Sequence, residues 1–166
     1  ILNFGTFNNN TGGLIKIDRM KTSTIDLQNG GIFNNQASIH IGSSSGSNLS
    51  GGGILNAGTF SNNTGGLINI DRINQYGIIN YSTLLFNNQA IINIGSLSGG
   101  NTMTHGIYNL GGKILNNTSG QINMNRVATG IYAGSDTLTN AGIFTIGALT
   151  AVTNLVENAG TGTFSN

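Results

Sequence analysis

Seven side chains in this 166-residue sequence could hold or move a proton near neutral pH: Asp18, Asp26, Asp71, Asp136, Glu157, His40 and His105. Catalysis needs several such groups to converge, and here they are scattered. The one regular relation is between Asp18 and Asp71, which stand 53 residues apart, each followed by an arginine (Arg19 and Arg72). If that interval is two rungs of a stacked fold, the carboxylates lie about 10 Å apart, near the separation in an inverting glycosidase. A third copy of the same stretch carries Asn125 before Arg126. The motif therefore reads better as a repeated Asp-Arg corner, bonded to its own loop and solvated, than as an acid and a base. His40 falls between Ile39 and Ile41 and points outward, with no second histidine or carboxylate beside it to share a metal. His105 falls in a stretch rich in Ser, Gly and Thr and reads as a loop residue. The chain is expected to be no enzyme and to need no cofactor.

The rest of the composition explains why chemistry is scarce. Only 7% of residues are charged, the net charge is +1, glycine numbers 27, and proline and cysteine are absent. No basic run offers a surface for nucleic acid. No apolar stretch is long enough for a spanning helix, so membrane insertion is not expected. Disulfides and thiolate metal sites are impossible without cysteine. The Gly-Gly segments lack the spacing of calcium-binding β-rolls. Asn-x-Thr triplets at Asn9, Asn62 and Asn116 are what chance gives in so Asn- and Thr-rich a chain. Disorder does not fit either, because 37% of residues are apolar and they recur at regular intervals.

Those intervals define the elements. "ILNFGTFNNNTGGLIKIDRM" from Ile1 returns 53 residues later as "ILNAGTFSNNTGGLINIDRI" from Ile54, and a third copy starts at Ile107. Between the copies, "IFNNQASIHIGS" from Ile32 returns as "LFNNQAIINIGS" from Leu85. The superrepeat thus holds two related units of 24–29 residues. Aligned, the units give columns. One is aromatic or aliphatic: Phe7, Phe33, Phe60, Phe86, Leu115, Leu138 and Phe164. Two residues on runs Asn9, Asn35, Asn62, Asn88, Asn117, Asn140 and Asn166. A second amide column is Asn3, Asn29, Asn56, Asn80 and Asn109, continued by Ala133 and Asn158. Two aliphatic columns run from Ile15 to Phe144 and from Ile17 to Ile146.

Within each unit the apolar residues alternate with period two, which is the signature of strands. Gly-rich bends separate them, and no 3.6-residue stripe supplies a crossover helix. Three short strands per unit close one coil of an all-β, right-handed parallel β-helix of about six to seven coils. Residues 1–166 are expected to be a single β-solenoid segment, excised from or processed out of a longer repetitive protein. Like residues then stack at about 4.8 Å: phenylalanines as an aromatic ladder, asparagines as amide ladders, glycines at bends needing positive φ. Like charges would stack unfavourably, so few are tolerated.

Outside the coil, two columns could form an association surface. Leu55, Ile79, Tyr108 and Tyr132 make a continuous apolar stripe, and Ile32, Leu85 and Ile114 flank the phenylalanine ladder. Exposed stripes of this kind mark interfaces. The variable loops, Ser43–Gly52 and Ser96–Gly106, gather at a third corner.

The phrases "GIFNNQASIHIG" and "ILNAGTFSNNTGGLINI" resemble the repeats of large exported bacterial β-helix proteins: filamentous-haemagglutinin-like adhesins, autotransporter passengers and repetitive exoproteins. The resemblance covers the whole chain and implies a secreted or cell-surface protein of bacterial origin. The expected function is non-enzymatic: a solenoid that assembles with itself, head to tail or side by side, into a fibre, sheath or adhesive stalk. The alternative is an adhesin or glycan-binding module that stacks sugars on Tyr108 and Tyr132 and meets extracellular glycans as partners. Ice binding, which needs an unbroken outward threonine array, and polysaccharide cleavage are weaker expectations.

Overall fold

The computed structural model describes residues 1–18, 25–27, 30–44, 51–81, 84–96, 102–134, 137–147, 153–158 and 163–166. All regular structure among them is β, in three parallel sheets. The first sheet stacks β1 (Leu2–Asn3), β4 (Ile25–Leu27), β7 (Ile54–Asn56), β10 (Tyr76–Asn80), β13 (Met103–Asn109), β16 (Val127–Ala133) and β19 (Asn154–Asn158). The second stacks β2 (Thr6–Asn9), β5 (Ile32–Asn35), β8 (Thr59–Asn62), β11 (Leu85–Asn88), β14 (Lys113–Asn116), β17 (Thr137–Asn140) and β20 (Thr163–Ser165). The third stacks β3 (Leu14–Ile17), β6 (Ser38–Ile41), β9 (Leu67–Ile70), β12 (Ile91–Ile94), β15 (Gln121–Met124) and β18 (Ile143–Ile146).

Every third strand in sequence is a hydrogen-bonded neighbour in space, which is the topology of a parallel β-solenoid with three strands per coil. The six-stranded third sheet makes about five steps, so the solenoid has about five turns. The expectation of six to seven coils had also counted the upper, partial coil. There, β19 and β20 have no third strand beside them among the described residues.

The core is the inside of the coil. Phe33, Phe60, Phe86, Ile39, Ile68, Ile92, Ile41, Ile70 and Ile94 are fully buried, each on the same residue type in the coil above or below. Most strands of the second and third sheets alternate, as in the exposed-buried pattern of β12, so one face of each lines the interior; in the first sheet β10 departs from this, with four consecutive residues buried. Bends are made where side chains would collide. Gly42 and Gly95 have φ of 68° and 69°, and a Cβ on either would overlap the carbonyl of Asp71 or Asn125 in the coil above.

Two bends differ from the sequence alignment. Between Asn109 and Lys113 the chain spends three residues, Leu110, Gly111 and Gly112, one fewer than the four between Asn80 and Leu85 that the expected column carried over from the coil below. A one-residue change inverts the side-chain parity of everything after it. Phe86 therefore pairs with Ile114, not Leu115, and Asn88 pairs with Asn116, not Asn117. Ile114, expected on the outer surface, is 1% exposed in the core. In the second coil, Asn3 and Asn56 both pair with Leu27. The amide expected from Asn29 in that column is thus replaced by a buried leucine, and Asn29 itself lies outside the described residues. Asp26 takes the outward position between Leu2 and Leu55.

Candidate functional site

Three arrangements use the stacking: the internal ladders, the corner clips and a tyrosine face. The longest is an amide ladder on the inner face of the second sheet. Asn9 Nδ2 donates to Asn35 Oδ1 at 2.8 Å, Asn35 to Asn62 at 2.8 Å, and Asn62 to Asn88 at 2.8 Å. Asn88 donates to Asn116 at 2.7 Å and Asn116 to Asn140 at 2.6 Å. Asn140 Nδ2 reaches Asn166 Oδ1. Every amide points the same way, so the ladder is polar: an Oδ1 acceptor ends its lower side and an Nδ2 donor its upper side. Spare donor capacity goes to the backbone, as when Asn62 Nδ2 also meets Ile91 O. This is how a buried amide avoids the cost of an unmade hydrogen bond.

The shorter ladder in the first sheet joins Asn56, Asn80 and Asn109 at 2.8 and 3.0 Å. It stops there, because Leu27 and Ala133 hold the adjoining positions. Asn3 instead donates to Ile32 O and accepts from Gly5 N–H. Beside the long ladder run the phenylalanines. Phe7, Phe33, Phe60 and Phe86 stack with centroids 4.8, 5.0 and 4.9 Å apart and planes within 17°. Ile114 and Leu138 continue the column, and Phe164 at its top meets Phe144 edge-on.

The corner clips account for the Asp-Arg motif. Asp18 accepts from the Ser44 hydroxyl at 2.6 Å and the Ser44 N–H at 3.1 Å, both in the coil above. Asp71 accepts from the Ser96 hydroxyl, again one coil up. The arginines reach the other way. Arg72 donates to the carbonyls of Gly42 and Ser43, and Arg126 to that of Ser96, in the coil below. Both take left-handed φ, 51° and 49°, to do so. The 53-residue superrepeat thus has a physical reason: coils carrying Asp-Arg alternate with coils carrying Gly-Ser, and each clips its neighbours. Where Asn125 replaces the aspartate, Ala148 replaces the serine in sequence. The corner differs from expectation in two ways: the bonds run between coils, and Asp71 is 2% exposed rather than solvated. Burial pushes the Asp18 carboxyl up, but the Ser44 bonds and Lys16 outweigh it and hold the group below its ordinary range. Arg19, and most of the two long variable loops, lie outside the described residues.

The third arrangement was only half visible in sequence. The outward stripe is real in register, since Leu55, Ile79, Tyr108 and Tyr132 pair in order. Its lower half is not an open surface, because Ile79 is only 5% exposed. The upper half is joined by Tyr76 and His105, which is not in a loop but in β13, paired with Tyr76. Tyr76 and His105 stack at 5.4 Å, Tyr76 and Tyr108 sit at 4.8 Å, His105 and Tyr108 at 4.8 Å, and Tyr108 and Tyr132 stack at 4.5 Å. Tyr81, half exposed, lies close enough to act on Tyr108 electrostatically. Tyr76, Tyr108 and Tyr132 therefore share one face with His105. Burial and the neighbouring phenols push the Tyr108 hydroxyl above its ordinary value. Burial also lowers the His105 imidazole, opposed by Glu157, and its Nδ1 is buried without a hydrogen-bond partner. The remaining outward candidates are spread over the second sheet: Ile32 and Leu85 share a column with Thr6, Thr59, Lys113 and Thr137. A shallow hollow of about 270 Å³ lies there, between Leu85, Lys113, Leu115 and Thr137.

Among the described residues, no three His, Cys, Asp or Glu side chains come together as a metal site. Fold and core together define a parallel β-solenoid repeat protein. Comparison of the chain with protein-family models, curated proteins and solved structures gives no match.

Proposed function

We propose that this chain is a segment of an extracellular structural rod, a non-enzymatic β-solenoid that is extended by stacking further coils on its ends. The observation that carries this reading is the polarity of the long amide ladder. Its lower end presents Asn9 Oδ1 and its upper end Asn166 Nδ2, so one end is the hydrogen-bonding complement of the other. The aromatic column agrees, with Phe7 and Phe164 at opposite ends and both only partly buried. The low charge fits too, because a stack with few like charges has little to repel a neighbour. The resemblance to exported adhesins and autotransporter passengers supports a cell-surface setting and a bacterial source.

The competing readings draw less support. Tyr108 turns its ring faces toward Tyr132 and toward Tyr76 and His105, leaving edges rather than faces for a sugar. The outward threonines are interrupted by Ile32, Leu85 and Lys113. The test is sedimentation and negative-stain electron microscopy of the 166-residue chain over a wide concentration range. Rods that lengthen with concentration, with one constant width, are expected. Discrete single solenoids at every concentration would overturn the proposal.

A further inference from the structure

The tyrosine face carries a reactive pair. Tyr108 and Tyr132 occupy the same column on adjacent strands, directly paired in register. Their rings lie 4.5 Å apart and 25° from parallel, and both side chains are partly exposed at their edges. A tyrosine that loses one electron and its phenolic proton carries much of its unpaired spin on the two ring carbons ortho to the oxygen. Coupling then requires a second phenol within van der Waals distance, held there long enough to react. Parallel stacking on a rigid ladder provides this, because neighbouring strands are fixed about 4.8 Å apart and only side-chain rotation is needed to bring the ortho carbons together.

We propose that Tyr108 and Tyr132 are a site of oxidative coupling, joined by a carbon–carbon bond between their ortho positions in the presence of a peroxidase and hydrogen peroxide. In the balanced reaction each phenol gives up one electron and one proton. The two radicals form one C–C bond, and the ortho hydrogens shift to restore both phenols. The two electrons and two protons reduce one peroxide to two waters. The pairing selects these residues over their neighbours. Tyr76 lies nearly as near Tyr108 but is tilted by 37° and stacked on His105. Tyr81 stands in the bend after β10, outside any ring stack among the described residues.

The bond would give this chain something it otherwise lacks. Without cysteine it has no disulfide. A link from Tyr108 to Tyr132 closes a loop across adjacent coils and restrains the unfolded chain as a disulfide does. It braces the rungs where the Phe ladder has given way to Ile114 and Leu138. The proposal concerns this face alone and holds whether or not rods assemble.

The folded 166-residue chain, kept dilute, is treated with peroxidase and hydrogen peroxide. Intact mass should fall by two hydrogens with no dimer formed, and dityrosine fluorescence should rise. Trypsin makes the assignment. Cleavage after Arg72, Lys113 and Arg126 places Tyr76, Tyr81 and Tyr108 in one peptide, Ile73–Lys113, and Tyr132 in another, Val127–Asn166. The expected product is those two peptides joined. Tyr108→Phe and Tyr132→Phe should each abolish it, Tyr76→Phe and Tyr81→Phe should leave it, and treatment in denaturing urea should lose it. Absence of the joined peptide from the folded chain, its equal yield from the unfolded chain, or its survival in Tyr132→Phe would each overturn the proposal.

Discussion

The chain builds two aromatic stacks, one inside the lower coils and one outside the upper coils, which overlap only in the coil of Tyr76 and Phe86. Inside, Phe33, Phe60 and Phe86 are fully buried, with planes 5° and 3° apart. Outside, Tyr76, His105, Tyr108 and Tyr132 sit at similar spacings, but their planes range from 21° to 83°. Strand spacing fixes the distance in both places. What differs is confinement. Inside, each ring is held on all sides and a single geometry survives. Outside, one side is water, and the rings splay. The inner stack should therefore govern stability, and the outer stack should be open to chemistry.

The largest test of this contrast is to truncate one ring from each. Phe60→Ala leaves a cavity between two buried phenylalanines, with a loss of about 3–5 kcal/mol. Tyr108→Ala removes a partly exposed ring whose neighbours can relax into solvent, with a loss of about 1–2 kcal/mol. Urea unfolding of both variants checks the ratio. Equal losses would mean that the outer stack, too, is part of the core.

The amides allow a sharper version. Asn62 sits in the internal ladder at 0% exposure, while Asn93 sits in an outer one, donating to Asn69 and accepting from Asn123 at 2.9 Å each. Asn62→Ala strands a donor on Asn35 and an acceptor on Asn88 away from water, and is expected to cost about 3 kcal/mol. Asn93→Ala exposes its partners to solvent, which replaces the lost bonds, so its cost should stay below about 0.5 kcal/mol. Differential unfolding of the two variants decides whether burial or the ladder itself gives the amide its value.

How much of this was legible in the sequence follows the same divide. Columns of identical inward residues, such as Phe7 to Phe86 or Ile39 to Ile94, can be read by eye, because one interior slot accepts one residue type in every coil. The errors arose at bends. Nothing in "NLGGKILNN" says whether Lys113 or Ile114 begins the next strand, and a bend counted one residue too long sets Leu115 inward and Ile114 outward. Asn29 went astray because two more residues separate Leu27 from the next strand than separate Asn56 from Thr59. His105 reads as a loop residue because its neighbours are Thr and Gly, yet its pairing with Tyr76 and Thr129 gives β13 seven residues. A signal was available: aligning the repeats from Ile107 backward sets His105 opposite Tyr76. The corner clips were missed because their two halves lie in different coils and no single unit shows both.

The smallest expected effect is a pH dependence that only the outer stack can have, since the inner one has nothing to titrate. His105 faces Tyr76, Tyr108 and Tyr132, with Glu157 near enough to act on it. Burial lowers its folded pKa below the ordinary 6.5, with Glu157 opposing. The unfolded chain therefore takes up the proton first. Stability should be at its full value above pH 6.5, fall as pH drops through 6.5 toward the folded pKa, and level off below it. Asp18 titrates in another window. Its folded pKa lies below 3.8, so its contribution is present above that value and is lost only in stronger acid. Chemical denaturation of the native chain and of His105→Phe between pH 7.5 and about 5 separates the two. The native chain should lose stability through this range and the variant should not. An equal slope in both would show that the proton is taken up elsewhere, and that the outer stack is as closed to water as the inner one.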